Sequence, residues 1–242
     1  MKDREELLLK VMHLMSEHFK NKAVLEGGML LRLLNSPRET QDVDYLLVSD
    51  RSKKVLSVEI KKLLSRLDDI TVKNMKLNSR GIFIGLEDDE QPNIKAFLEI
   101  NVVPKLLKRP TSMSTVVLAG RYLMTGRVIA SMDLSEAFAH KLAAALERDS
   151  IRDLYDITIL EPLCEVDKEI LGKRLSSLSI RRQKERSVSL DEAAKMLTAK
   201  ADGLTQKKVE KELGAWLTAE SLEGMDKIIR STLLRVVQKV FY

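Results

Sequence analysis

The sequence is short of the residues from which metal sites and covalent chemistry are most often built. Its single cysteine, Cys164, excludes an internal disulfide and any site made of several thiolates. Three scattered histidines, His13, His18 and His140, have no nucleophile or orienting group beside them, so they read as surface or packing residues and not as a zinc site. Aromatic residues are only 4% of the chain, which disfavours a stand-alone module that stacks single-stranded bases. Proline and glycine are too few for a fibrous or disordered protein. No apolar run approaches the roughly 20 residues that a membrane span requires. The charged start, Met1 to Glu6, carries neither a secretory nor a transit signal, so the expected setting is the cytoplasm, away from any membrane. A bound metal would have to be held by oxygen.

What remains is a chain of 242 residues, 44% hydrophobic and 32% charged, long enough to bury a core as one large or two small domains. Formal net charge is +5, and the segment Leu171 to Arg186 alone holds Lys173, Arg174, Arg181, Arg182, Lys184 and Arg186 against one acid, Glu185. Such a cluster is either a footprint for a polyanion such as RNA or a solvated helix face or linker.

Apolar spacing predicts a helix over 5–19, a short strand over 23–25, a helix over 29–34 that stops near Pro37, and an alternating strand over 41–48. A lysine-rich amphipathic helix follows over 57–67, then strands over 71–74, 81–86 and 94–103, with an acidic turn over 87–92. Beyond Asp133 the pattern is helical, over 133–147, over 151–160 and in the tail after Ser189. Asp133 with Glu136 and Ser189 with Glu192 have the spacing of capping boxes. The implied fold is α+β: a small mixed sheet flanked by helices, followed by a helical region, with the boundary near 126–132 and domains over 1–130 and 131–242.

The chemistry concentrates in the strand that carries Asp42 and Asp44. Residues two apart in a strand share a face, about 7 Å apart along the backbone, and suit one cluster of hard cations. Glu99 lies within an apolar strand, where an unpartnered carboxylate is costly and a cation or hydrogen-bond donor is needed. Acids two apart are common in turns, so the pair alone proves little. Gly27-Gly28, between a strand and a helix and ahead of that acidic strand, lets backbone amides approach phosphate oxygens at a helix start. Lys141 and Arg148, seven apart, line one face of a helix beside the small Ala144 and Ala145. The alternative for that block is an ordinary surface helix in which Arg148 or Arg152 pairs with Asp153 or Asp156; Leu154 and Tyr155 read as core.

Two stretches, Leu25-Glu26-Gly27-Gly28-Met29-Leu30-Leu31-Arg32-Leu33 and Arg38-Glu39-Thr40-Gln41-Asp42-Val43-Asp44-Tyr45, resemble the AbiEii/AbiGii toxin group of the DNA polymerase beta-like nucleotidyltransferases. Glu99 matches the group's later acid, often Asp there, and Met29 stands where members carry Thr or Ser. A second block, His140 to Arg148 followed by Arg152-Asp153-Leu154-Tyr155-Asp156, extends the resemblance to about residue 160.

The resemblance implies that Asp42, Asp44 and Glu99 hold Mg²⁺ (or Mn²⁺). Gly27, Gly28, Thr40 and Lys141 would hold a nucleoside triphosphate, and Arg38, Arg148 and Arg152 would add phosphate contacts. Asp156 would orient Lys141 or assist deprotonation. The expected reaction transfers a nucleotidyl group to an acceptor hydroxyl, RNA such as the transfer RNA 3′ end, in a toxin paired with a cognate antitoxin. The competing expectations are a transferase acting on a protein hydroxyl and a non-catalytic nucleotide- or RNA-binding protein on the same fold.

Overall fold

The computed structural model describes residues 3–180 and 185–241. By their internal contacts these form two compact units, Met1–Asp133 and Leu134–Tyr242.

The first unit is built on a seven-stranded mixed sheet in the order β3-β4-β5-β2-β1-β7-β6. Its strands are β1 (Ala23–Glu26), β2 (Asp42–Val48), β3 (Ile70–Leu77), β4 (Ile82–Asp88), β5 (Lys95–Val103), β6 (Thr111–Ser114) and β7 (Val128–Ser131). Central β2 runs antiparallel to β1 and parallel to β5, while β4 lies antiparallel to β5 and β3 antiparallel to β4. Alternation along β5 explains its two faces: Ala96, Leu98 and Ile100 are buried, whereas Lys95, Phe97 and Asn101 are exposed and Glu99 is half-buried.

The buried face is covered by α1 (Arg4–Phe19), whose Leu8, Val11, Met12 and Met15 are fully enclosed, and by α3 (Lys53–Leu64) through Leu56, Ile60, Leu63 and Leu64. Each fully buried side chain of this size contributes roughly 1.5–3 kcal/mol. A short α2 (Gly27–Leu33) joins β1 to the loop before β2, and α4 (Val116–Arg121) lies between β6 and β7.

Several boundaries differ from the sequence expectation for identifiable reasons. Helix α2 begins at the glycines and not after them. Helix α3 begins four residues early because Ser52 caps it, its hydroxyl accepting from the Val55 amide at 3.4 Å. Strand β3 runs past 74 because a bulge between Val72 and Asn74 breaks its alternation. The expected acidic turn is closed by buried Asp88, which accepts from the amides of Glu90 (2.9 Å) and Gln91 (2.7 Å).

The second unit is helical among its described residues: α5 (Leu134–Glu147), α6 (Ile151–Leu160), α7 (Lys168–Leu175), α8 (Leu190–Asp202), α9 (Gln206–Leu213), α10 (Ala219–Leu222) and α11 (Met225–Phe241). Helix α6 packs against α5 and α11, and α8 against α11. Ser189 caps α8 by accepting from the Glu192 amide at 3.1 Å, while the Glu192 carboxylate pairs with Arg186 at 2.7 Å instead of closing the capping box. No helix among the described residues is long and apolar enough to cross a membrane.

His18 sits on the surface, its Nε2 2.8 Å from Glu59. His13 is a packing residue, buried with Nε2 2.9 Å from the Thr115 hydroxyl. Burial, reinforced by nearby Arg127, pushes its pKa from 6.5 down to about 4. Between these values the unfolded chain binds a proton that the folded one refuses. Stability is therefore full above about pH 6.5, falls as pH drops toward about 4, and levels off below it. His13→Gln, which keeps a hydrogen-bonding partner for Thr115 but does not titrate, should flatten that part of the profile in urea unfolding midpoints measured from pH 7 to pH 4.

Candidate active site

The register of the central strands assembles the acids. On β2, Asp42 and Asp44 share the face opposite buried Val43 and Tyr45. Parallel pairing with β5 sets Asp44 directly beside Glu99 and Asp42 beside Phe97. One carboxylate oxygen from each of Asp42, Asp44 and Glu99 falls within 4.8 Å of the others, and all three residues are half-buried. Carboxylates this close repel one another, and a cation bound among them would offset that repulsion. An all-oxygen donor set suits a hard cation better than a soft one.

The turn before β2 is shaped around these acids. Gly27 has φ +70°, and a Cβ there would fall onto the Asp44 carboxylate. A Cβ on Gly28 would come within 2.5 Å of the Thr40 hydroxyl. The backbone at the glycines therefore lies against Asp44 and Thr40, a proximity that any side chain would forbid. Glu26, the residue before α2, makes no side-chain cap to it. Thr40 is buried and donates its hydroxyl to Asp42 Oδ1 at 2.5 Å, so it fixes one acid directly. Arg38 is also buried, its guanidinium donating to the Glu39 carbonyl at 3.2 Å.

Sequence reasoning missed Glu26 in this region. The antiparallel register of β1 and β2 places it opposite Asp44, so Glu26, Asp44 and Glu99 form one row across three adjacent strands. The signal was present as the acid ending an otherwise apolar four-residue strand.

In the second unit, Lys141 of α5 meets two acids of α6. Its Nζ is 2.7 Å from Asp156 Oδ2 and 3.8 Å from Asp153 Oδ1. Both acids are buried, and one helical turn separates them, so they present one face. Arg148 closes the group, its Nε 3.0 Å from Asp153 Oδ2, while the rest of its side chain is exposed. Burial pushes the Asp153 carboxyl above its ordinary range, against the opposing pull of Lys141 and Arg148.

The ion pair foreseen for an ordinary surface helix thus exists between Arg148 and Asp153, but beside a half-buried lysine. What the sequence reading did not foresee is that Asp153, besides pairing with Arg148, also approaches Lys141. Arg152 turns away to lie over the Trp216 ring, 5.6 Å from its centre. Leu154 and Tyr155 are core, as expected.

The basic segment is less available to a polyanion than its charge suggests. Lys173 pairs with Glu169 at 2.6 Å, Arg174 lies 3.6 Å from Glu136, and Arg186 is held by Glu192. Arg181, Arg182 and Lys184 lie outside the described residues.

The sequence profile of the family described as "Nucleotidyl transferase AbiEii toxin, Type IV TA system" matches residues 11–230. Among solved structures, the fold is similar to MenT4, a nucleotidyltransferase toxin from Mycobacterium tuberculosis, with 17% identity, a TM-score of 0.67, and coverage of 95% of this chain and 81% of that one. It is also similar to JHP933 from Helicobacter pylori, with 16% identity, a TM-score of 0.55, and coverage of 99% and 94% respectively. No curated protein matches the sequence.

Two substitutions separate the role of the acids from that of their supports. Thr40→Val removes the hydroxyl that orients Asp42 and should weaken Mn²⁺ binding about ten- to a hundredfold in calorimetric titration. Gly27→Ala should lower stability by about 1–2 kcal/mol through its left-handed backbone, and should also displace Asp44 and weaken Mn²⁺ binding. A Gly27→Ala protein with unchanged Mn²⁺ affinity would refute the link between that turn and the acids.

Proposed function

Because this chain belongs to the AbiEii nucleotidyltransferase toxin family of type IV toxin-antitoxin systems, we propose that it moves a nucleoside monophosphate from a nucleoside triphosphate to a hydroxyl of RNA. The convergence of Asp42, Asp44 and Glu99 within 4.8 Å carries this reading. Bound there, Mg²⁺ or Mn²⁺ would neutralise charge developing on the attacking and leaving oxygens.

The chain's own groups account for the rest. The hydroxyl oxygen of the acceptor attacks the α-phosphorus, and the bond from that phosphorus to the bridging oxygen of the β-phosphate breaks. Pyrophosphate departs with the bonding electrons, and the acceptor proton passes to solvent. Asp42 and Asp44 serve both sides of the exchange, with Thr40 holding Asp42 in place. Glu99 lies toward the acceptor. Amides at Gly27 and Gly28 meet triphosphate oxygens, an approach open only where no side chain intervenes.

In the second unit, Lys141, held by Asp156 and Asp153 with Arg148 beside them, is our candidate for a further phosphate-binding cation. Membership in the family supplies a cognate antitoxin as partner. The transfer RNA 3′ end is our choice of acceptor. It is an end with free hydroxyls, and no transfer to it is expected without a divalent cation.

The test is incubation of purified protein with Mg²⁺, each labelled nucleoside triphosphate in turn and total transfer RNA. Label is expected on RNA with the wild type and not with Asp44→Ala. Label on the protein itself would move the acceptor to a protein hydroxyl. No label with any donor, despite metal-dependent nucleotide binding, would favour a non-catalytic protein. In the same assay Lys141→Ala should cost about tenfold or more in kcat/KM for the triphosphate, the scale of one charge-assisted hydrogen bond.

A further inference from the structure

We propose that the open sheet face beyond Glu99, centred on Phe97, stacks the nucleobase of the nucleotide that carries the attacking hydroxyl. This rests on the reading of RNA as acceptor and adds how the end of that RNA is held.

Phe97 is an apolar residue in the polar phase of its strand. Its neighbours on that face of β5 are Lys95, Glu99 and Asn101, and it is 44% exposed. Phe19 and Phe138, by contrast, are buried. Unlike the exposed aliphatic side chains elsewhere, this ring stands beside the carboxylate cluster, where its flat face is available to a planar ligand.

Its surroundings suit a base. Across the strands, Phe97 faces Asp42 of β2 on one side and Gly85 of β4 on the other. Gly85 offers no side chain to crowd the ring. A Cβ there would meet the Asn74 amide nitrogen at 2.8 Å, so that exposed amide lies over the glycine. Phe83, half-buried, is in register with Glu99, and Lys76 with Phe83. The face thus joins ring surface for stacking to an amide for a base edge, the combination by which proteins hold splayed-out single-stranded bases.

Strand order selects the acceptor as occupant, not the donor triphosphate. The glycine turn that approaches phosphate follows β1, on one side of Asp44, and Glu99 lies on the other side, on β5. In-line displacement puts the attacking oxygen opposite the departing pyrophosphate. A hydroxyl entering over Glu99 brings its own nucleotide over β5 and β4, where Phe97 and Phe83 lie.

The experiment uses the full chain with Mg²⁺, labelled nucleoside triphosphate and a transfer RNA ligated to end either in an ordinary nucleotide or in an abasic ribose that keeps its hydroxyls. The wild type should prefer the base-bearing end in kcat/KM by roughly ten- to a hundredfold, the range that one base-aromatic stack provides. Phe97→Leu keeps apolar bulk without a ring and should abolish that preference by raising KM for RNA while leaving KM for the triphosphate unchanged. Phe97→Tyr should restore it. Equal use of the two ends by the wild type, or a preference that survives in Phe97→Leu, overturns the proposal while leaving RNA as the acceptor. Failure of the wild type to label either RNA overturns both.

Discussion

Everything at the carboxylate cluster depends on one pairing, the parallel register of β2 with β5. It places Asp44 directly beside Glu99, and the two-residue period of β2 then brings Asp42 to the same face. A slip of one residue would turn Glu99 toward the core and leave Leu98 or Ile100 beside the acids. The register is pinned because β5 alternates so strictly: Ala96, Leu98 and Ile100 must be buried on the face that α1 covers. Hydrophobic burial thus fixes the position of a charge that burial alone would disfavour.

Support for the acids comes from absence of bulk as much as from contact. Gly27 and Gly28 bring the backbone against Asp44 and Thr40, and Thr40 in turn donates to Asp42. The second unit handles charge differently. There a lysine is enclosed by two buried carboxylates, Asp153 and Asp156, and Arg148 offsets part of their charge from the outside. Removing one partner from such a group leaves another buried and uncompensated, so each member is constrained by the rest.

Much of this was legible in the sequence because it is local. The spacing of Asp42 and Asp44 specifies a shared face, Glu99 stands out in an apolar strand, and Ser189 marks the start of α8. The elements that escaped are short or depend on distant partners. Strands β6 and β7 have four residues each, with serine and threonine filling β6, and α7 has only Ile170, Leu171 and Leu175 as its buried stripe. Burial of Asp153 follows from the packing of α6 on α5, which no local pattern encodes. The pairing of Glu26 with Asp44 is set by strand order, and the sequence displays only the acid itself.

The same parallel pairing has a temporal meaning. Parallel neighbours cannot be joined by a tight turn, and here α3, β3 and β4 intervene between β2 and β5. Synthesis from the N-terminus therefore completes Asp42 and Asp44 well before Glu99 exists, and the third acid joins them only when a long-range strand closes into the middle of the sheet. A nascent or truncated chain lacking β5 holds two acids and no complete cation site. The order of the strands thus makes the three-acid cluster wait on a long-range pairing and not on local folding alone.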